Sequence, residues 1–194
     1  MDNFSGIEDD NPLAVQVLLD MKLPAPKDML QYCVRLGLSN ILSLVLVDTR
    51  IEVYQGDMMP LFSVIRSSCL ECKENKQDIL KQLLSSERAF ASHFPMTSIT
   101  LLATREGNIQ ALALLLADKR CNVFKNSMSL LMTALVKDNV EAVRLVMSCP
   151  DFNVAEDDRQ DILSAINLRR STDGALDHFK SVPQMVQLLT RTAR

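Results

Sequence analysis

The chain of 194 residues has no tryptophan, two tyrosines and seven phenylalanines, so aromatic rings make up 5% of it while apolar residues make up 47%. That scarcity excludes a core centred on large rings and leaves burial to Leu, Val, Ile, Ala and Met, which suits thin helices packed closely. Glycine is also sparse, at five residues, and no run of them forms a phosphate-cradling loop. The two histidines, His93 and His178, are far apart and neither has a visible catalytic partner. Five cysteines are an odd number for a disulfide framework: Cys33, Cys121 and Cys149 lie in or near helical patterns. Cys69-x-x-Cys72 lacks the second ligand pair of a four-coordinate zinc site. Reduced thiols in the cytoplasm, or the nucleus, are the expectation, with no cofactor and no metal. The acidic clusters Glu8-Asp9-Asp10 and Glu156-Asp157-Asp158 lack the alternating oxygen ligands and glycine of a calcium loop, and fit solvated turns better.

Charge is nearly balanced, at 21 basic against 24 acidic residues, a formal net of −3. With no basic run and no aromatic-basic interleaving, nucleic-acid binding is not expected. The apolar stretch from Ile41 to Val47, broken only by Ser43, falls far short of the ~20 residues needed to cross a bilayer, so no membrane insertion is expected. Residues 1–10 form an acidic tail without the basic flank and apolar block of a secretory signal.

What the chain does have is a stride. Asp28, Met59, Ser98, Ser129 and Gln160 each open a short apolar segment, at steps of 31, 39, 31 and 31. Five positions on from each stands a small or slim residue: Cys33, Val64, Ala103, Ala134 and Ala165. A second apolar helix pattern then follows, at 41–46, 79–84, 111–116, 142–147 and 185–189. The unit is two short helices and a loop, and a fixed period of this size predicts stacked repeats. The longer step is an insertion around Ser67–Asn75 between the two helices of its unit, and another lies at 170–181 in the last. Ahead of these, Asn11-Pro12 starts a lone helix to about Lys22, Pro24 and Pro26 force an extended link, and Asp28, Ser98 and Ser129 are expected helix caps.

These residues resemble a known family. Gly107-Asn108-Ile109-Gln110-Ala111-Leu112 through Asn122-Val123 looks like the second helix and loop of an ankyrin repeat, usually written G-H-L-E-V-V-K-L-L-L-E-x-G-A-D-V-N, and Asp138 to Val154 repeats it. Met59-Pro60-Leu61-Phe62-Ser63-Val64 is similar to the T-P-L-H-x-A opening, and Gly37 and Gly107 sit where that family turns between helices. No unit keeps an intact T-P-L-H, and Asp57, Ser127 and Asp158 replace the loop glycine, so the repeats are divergent. The resemblance implies an all-α ankyrin-like solenoid of about five to six repeats, counting a truncated first unit, in one repeat domain over 11–194. It also implies a non-catalytic protein-interaction module.

Seven residues on from the unit openings stand Arg35, Arg66 and Arg105, followed by Val136 and Asn167. The family places these at the end of the first helix on the concave face, so the three arginines are expected to form a column that grips an acidic or phosphorylated segment. The alternative is that they are solvated helix-end charges, favourable against the carbonyl end of the dipole. The resemblance puts the loop tips along the same side: Tyr54, Gln55, Phe94, Phe124, Lys125, Glu156, Asp157 and Arg159. Tyr54 and Phe124 occupy corresponding places, as partner anchors or as shared packing. A protein or peptide partner, in a monomer or a hetero-complex, follows. Two other classes stay open: an effector or enzyme with chemistry in the insertions, and a structural or inhibitory subunit of a complex.

Overall fold

The computed structural model describes residues 10–21, 29–51, 60–66, 75–86, 96–120, 127–150, 152, 155, 157–158, 160–164 and 182–191. Helix accounts for 79% of them and no strand occurs among them, so the described protein is all-α. Contacts divide the chain into two compact units, Met1–Phe94 and Pro95–Arg194.

The first unit holds α1 (Pro12–Asp20), α2 (Met29–Leu36), α3 (Ser39–Val47), α4 (Pro60–Arg66) and α5 (Lys76–Ser85). It has two layers: α2 lies on α4, α3 lies between α1 and α5, and the pairs α2–α3 and α4–α5 join the layers. The second unit holds α6 (Met96–Arg105), α7 (Ile109–Ala117), α8 (Ser127–Val136), α9 (Val140–Met147) and α10 (Val182–Arg191). Again α6 lies on α8, α7 on α9, and α10 on α9. The insertion expected near 67–75 falls between α4 and α5, with 67–74 outside the described residues, as is all of 170–181.

Among the described residues three hairpins share one closing hydrogen bond. After α6, Gly107 takes φ +68°, its N–H donates to Thr104 O at 3.2 Å, and the N–H of Asn108 donates back to Ala103 O at 3.0 Å. After α8, Asp138 takes φ +52° and Asn139 N–H donates to Ala134 O at 3.0 Å; after α2, Gly37 takes φ +77° and Leu38 N–H donates to Cys33 O at 2.9 Å. This left-handed closure satisfies carbonyls that the helix end leaves open, and Gly adopts it without a Cβ penalty. In these three hairpins the small residue, Cys33, Ala103 or Ala134, is the helix residue whose carbonyl the turn closes onto. Cys33, Val64, Ala103 and Ala134 are all buried, at 3% exposure or less. Neighbouring helices meet there, and a longer side chain would hold them apart.

The second helices repeat one inward triad: Ile41, Leu42 and Val45; Ala111, Leu112 and Leu115; Ala142, Val143 and Val146, all buried. Their starts are capped alike. Asn108 Oδ1 accepts from Ala111 N–H and Asn139 Oδ1 from Ala142 N–H, both at 3.0 Å. Leu38, at the corresponding place before α3, is buried at 4% exposure and offers no acceptor. Asp10 supplies it from outside the hairpin: Oδ2 accepts from Asn40 N–H and Oδ1 from Ile41 N–H, each at 3.2 Å.

The helix starts divide. Pro12 stands at the start of α1 as expected, and Asn11 caps that helix, accepting from Leu13 N–H at 3.0 Å. Ser98 and Ser129 do not cap: they are third in α6 and α8, which begin two residues earlier. Ser127, three residues before Leu130, is buried with the inward stripe, and Met96, three before Ile99, is partly buried, so both helices extend back past the serines. Asp28 lies outside the described residues.

Candidate functional site

The three arginines stand in the last turn of their first helices: Arg35 in α2, Arg66 at the end of α4 and Arg105 at the end of α6. All three are exposed. Arg35 and Arg66 belong to the first unit and Arg105 to the second.

Two contacts fix the register of α2 against α4. Gln31 Nε2 donates to Ser63 Oγ at 2.7 Å within the helices, and Asn75 Nδ2 donates to Gly37 O at 2.9 Å beyond their ends. Arg35 and Arg66 stand about one turn past Gln31 and Ser63 in their own helices. The guanidinium of Arg35 lies 5.6 Å from the ring centroid of Tyr32, a cation–π stack that holds the side chain along its own helix. Among the described residues, no carboxylate lies within ion-pair distance of Arg35 or Arg66.

In the second unit Leu101 of α6 packs on the cluster of Leu130 and Val146, and a Cβ at Gly107 would lie 3.7 Å from Asn139 Nδ2. Seven residues on from its unit opening, α8 carries Val136 where α6 carries Arg105. Val136 is 49% exposed and Met132, one turn earlier, 36%. Arg105 Nε stands 3.9 Å from Glu106 Oε1, an exposed pair at the outer limit of an ion pair.

Of the loop-tip candidates, Asp157 is exposed in a helical segment, while Tyr54, Gln55, Phe94, Phe124, Lys125, Glu156 and Arg159 lie outside the described residues. Ahead of two of these tips stands a feature that sequence reasoning missed. Asp48 and Arg50, after α3, form a clasp: Asp48 Oδ1 accepts from Arg50 N–H and Nε–H at 2.9 Å, and Arg50 Nη2 bonds Asp48 Oδ2. Asp118 and Arg120, after α7, repeat it with N–H and Nε–H bonds of 2.9 Å and an Nη2 bond of 2.5 Å. The signal was present as an Asp-x-Arg at the same offset in each unit. The Arg120 hydrogen bond holds the Asp118 carboxyl below its ordinary value, and the Asp48 bond raises Arg50. Arg50 Nη2 also donates to Leu19 O at 3.0 Å, tying this loop to the end of α1.

Cys33 is completely buried, and burial, with a smaller contribution from the Asp10 charge, pushes its thiol up to about 12. That is a packing residue, not a nucleophile. Among the described residues no group of three or more His, Cys, Asp or Glu could hold a metal ion, and no helix is long and apolar enough to cross a membrane. No protein-family model matches the chain, and no curated protein or solved structure matches it.

Proposed function

We propose that the chain is a non-catalytic protein-binding module of ankyrin-like helix hairpins, whose units receive acidic or phosphorylated segments on the ends of their first helices. The observation that carries this is the recurrence of an exposed arginine in the last turn of α2, α4 and α6. A guanidinium takes a carboxylate or phosphate through two parallel bonds, and a receptor already ordered loses little entropy on binding. The repeated turn and the buried small residue behind it support the ankyrin-like part.

The test compares the intact protein with Arg35→Ala/Arg66→Ala/Arg105→Ala, after circular dichroism shows equal helix content. Capture of partners from lysate, then titration of a Glu-rich peptide across a salt series, reads the arginine contribution. Loss of both in the triple variant, with a flatter salt dependence, is expected. Unchanged affinity and unchanged salt dependence would overturn it.

A further inference from the structure

Resting on the acidic-partner function proposed above, we infer that the anion is gripped most strongly at Arg35, and that Tyr32 is the residue that positions it. The three arginines share an offset but not a setting. Three residues before Arg35, one turn back on α2, stands Tyr32; the same place before Arg66 is Ser63, and before Arg105 it is Leu102, buried at 4% exposure. A helix directs a long side chain back over the preceding turn, and the Arg35 guanidinium accordingly lies 5.6 Å from the Tyr32 ring centroid. It sits over that turn and not at the carbonyl end of α2, where a plain helix-end charge would gain most.

Stacking leaves the binding edge open. The ring takes the flat face of the guanidinium, while the N–H groups point outward in its plane, the direction from which a carboxylate or phosphate accepts two parallel bonds. The sequence has no Asp or Glu between Met29 and Val47, and Asp10, the carboxylate that reaches this hairpin from outside, is bonded to Asn40 and Ile41. Arg105, by contrast, has Glu106 at 3.9 Å from its Nε. At Arg66 the stacking place is held by Ser63, which accepts from Gln31. A partner's anion thus meets one arginine already ordered by its neighbour and two without such a stack, and ordering a long side chain on binding costs affinity.

Fluorescence anisotropy of a Glu-rich peptide against the full-length chain, across a salt series, tests this with single variants matched for helix content by circular dichroism. Arg35→Ala is expected to weaken binding about tenfold, the loss of a charge-assisted pair, and Arg66→Ala and Arg105→Ala roughly two- to threefold each. Tyr32→Leu should weaken it roughly two- to fivefold with the salt slope unchanged, since no charge is lost, and Tyr32→Phe, which keeps the ring, should bind as wild type. Added to Arg35→Ala, Tyr32→Leu should have no further effect, because a positioning residue acts only through the group it positions. Arg35→Lys, at an exposed site, keeps the charge without the flat fork and should lose several-fold at the same salt slope. Equal losses from the three arginine variants, or a Tyr32→Leu loss that is absent, shared by Tyr32→Phe or persistent without Arg35, overturn the inference and leave the arginine function standing. Affinity unmoved even in the triple arginine variant overturns both.

Discussion

Replacing Asp10 tests whether a helix start can be completed by a residue of another element. Asp10 carries the acceptors that the buried Leu38 cannot offer α3, and it sits at φ +48° to do so. Asp10→Gly is the cleaner deletion, because Ala at that φ would add backbone strain to the lost cap. Two backbone N–H groups, on Asn40 and Ile41, lose their acceptor, and Asn40 Nδ2 loses a bond of 3.0 Å. Loss of a cap side chain costs about 1 kcal/mol and at most ~2, and the charge near the positive helix end contributes a further 0.3–1 kcal/mol on a rough scale. Relief of φ +48° by Gly offsets roughly 0.5–1 kcal/mol of this, so a net loss of about 0.5–1 kcal/mol is expected, which at a urea slope of about 2 kcal/mol/M lowers the midpoint by roughly 0.25–0.5 M. Asp10→Asn keeps an acceptor, tolerates the left-handed backbone and removes only the charge, so about 0.5 kcal/mol is expected there. Hydrogen exchange locates the effect: the amides of Asn40 and Ile41 should lose protection while that of Ala111, capped within its own hairpin, does not. An Asp10→Gly midpoint equal to wild type, with those two amides still protected, would refute the reasoning.

Gly107→Ala should cost about 1 kcal/mol by thermal or urea melting, because φ +68° disfavours a side chain while the nearest atom, at 3.7 Å, is at ordinary contact distance. Asp138→Gly should do the reverse and stabilise by roughly 0.5–1 kcal/mol, since it relieves φ +52° and removes a buried carboxylate oxygen without a partner. With its thiol pushed up to about 12, Cys33 should resist iodoacetamide at pH 8 in the folded protein and react only in denaturant, as site-resolved mass spectrometry would show. Asp118 has a folded pKa below its ordinary 3.8, so its contribution is complete above that value and is lost as pH falls through the folded pKa. Asp118→Asn should therefore melt lower than wild type at pH 7, and the difference should shrink on acidification below pH 3.8; a difference independent of pH would exclude the clasp as its origin.

The parts of the fold that were legible in sequence are those set by burial with a period. The triad pattern of α3, α7 and α9 and the slim residues at 33, 64, 103 and 134 are hydrophobicity and size read at one offset, and each falls where it was expected. Gly37 and Gly107 were legible because few residues take positive φ. The helix starts were not. Ser98 and Ser129 had the chemistry of caps, but the inward stripe extends past them, and burial of a further turn outweighs one side-chain bond. Asp10 escaped for a different reason: its partners lie 30 and 31 residues on, and a distant acceptor leaves no local pattern. The arginines were placed correctly at their helix ends, yet sequence gave no means to tell the cation–π stack of Arg35 from the exposed pair of Arg105.

A hairpin of this kind makes three demands at its turn: a left-handed residue, an acceptor for the next helix, and a slim residue where the turn closes back. Each is met here by more than one solution. Gly37 and Gly107 give way to Asp138 for the backbone; Asn108 and Asn139 give way to the pairing of Leu38 with Asp10 for the cap; alanine gives way to Cys33 in the core. The substitutions are coupled, because a leucine at the capping place adds buried surface to α3 and is tolerable only while Asp10 covers the exposed N–H groups. Leu38→Asn should therefore do harm in the wild type, where it empties a buried site, and do less harm in Asp10→Gly, where the new amide can accept from Ile41 as Asn108 accepts from Ala111. The measurement is a double-mutant cycle on urea midpoints, with a favourable coupling of about 1 kcal/mol expected for residues sharing one partner. Strict additivity would mean that Asp10 and residue 38 do not serve the same helix start.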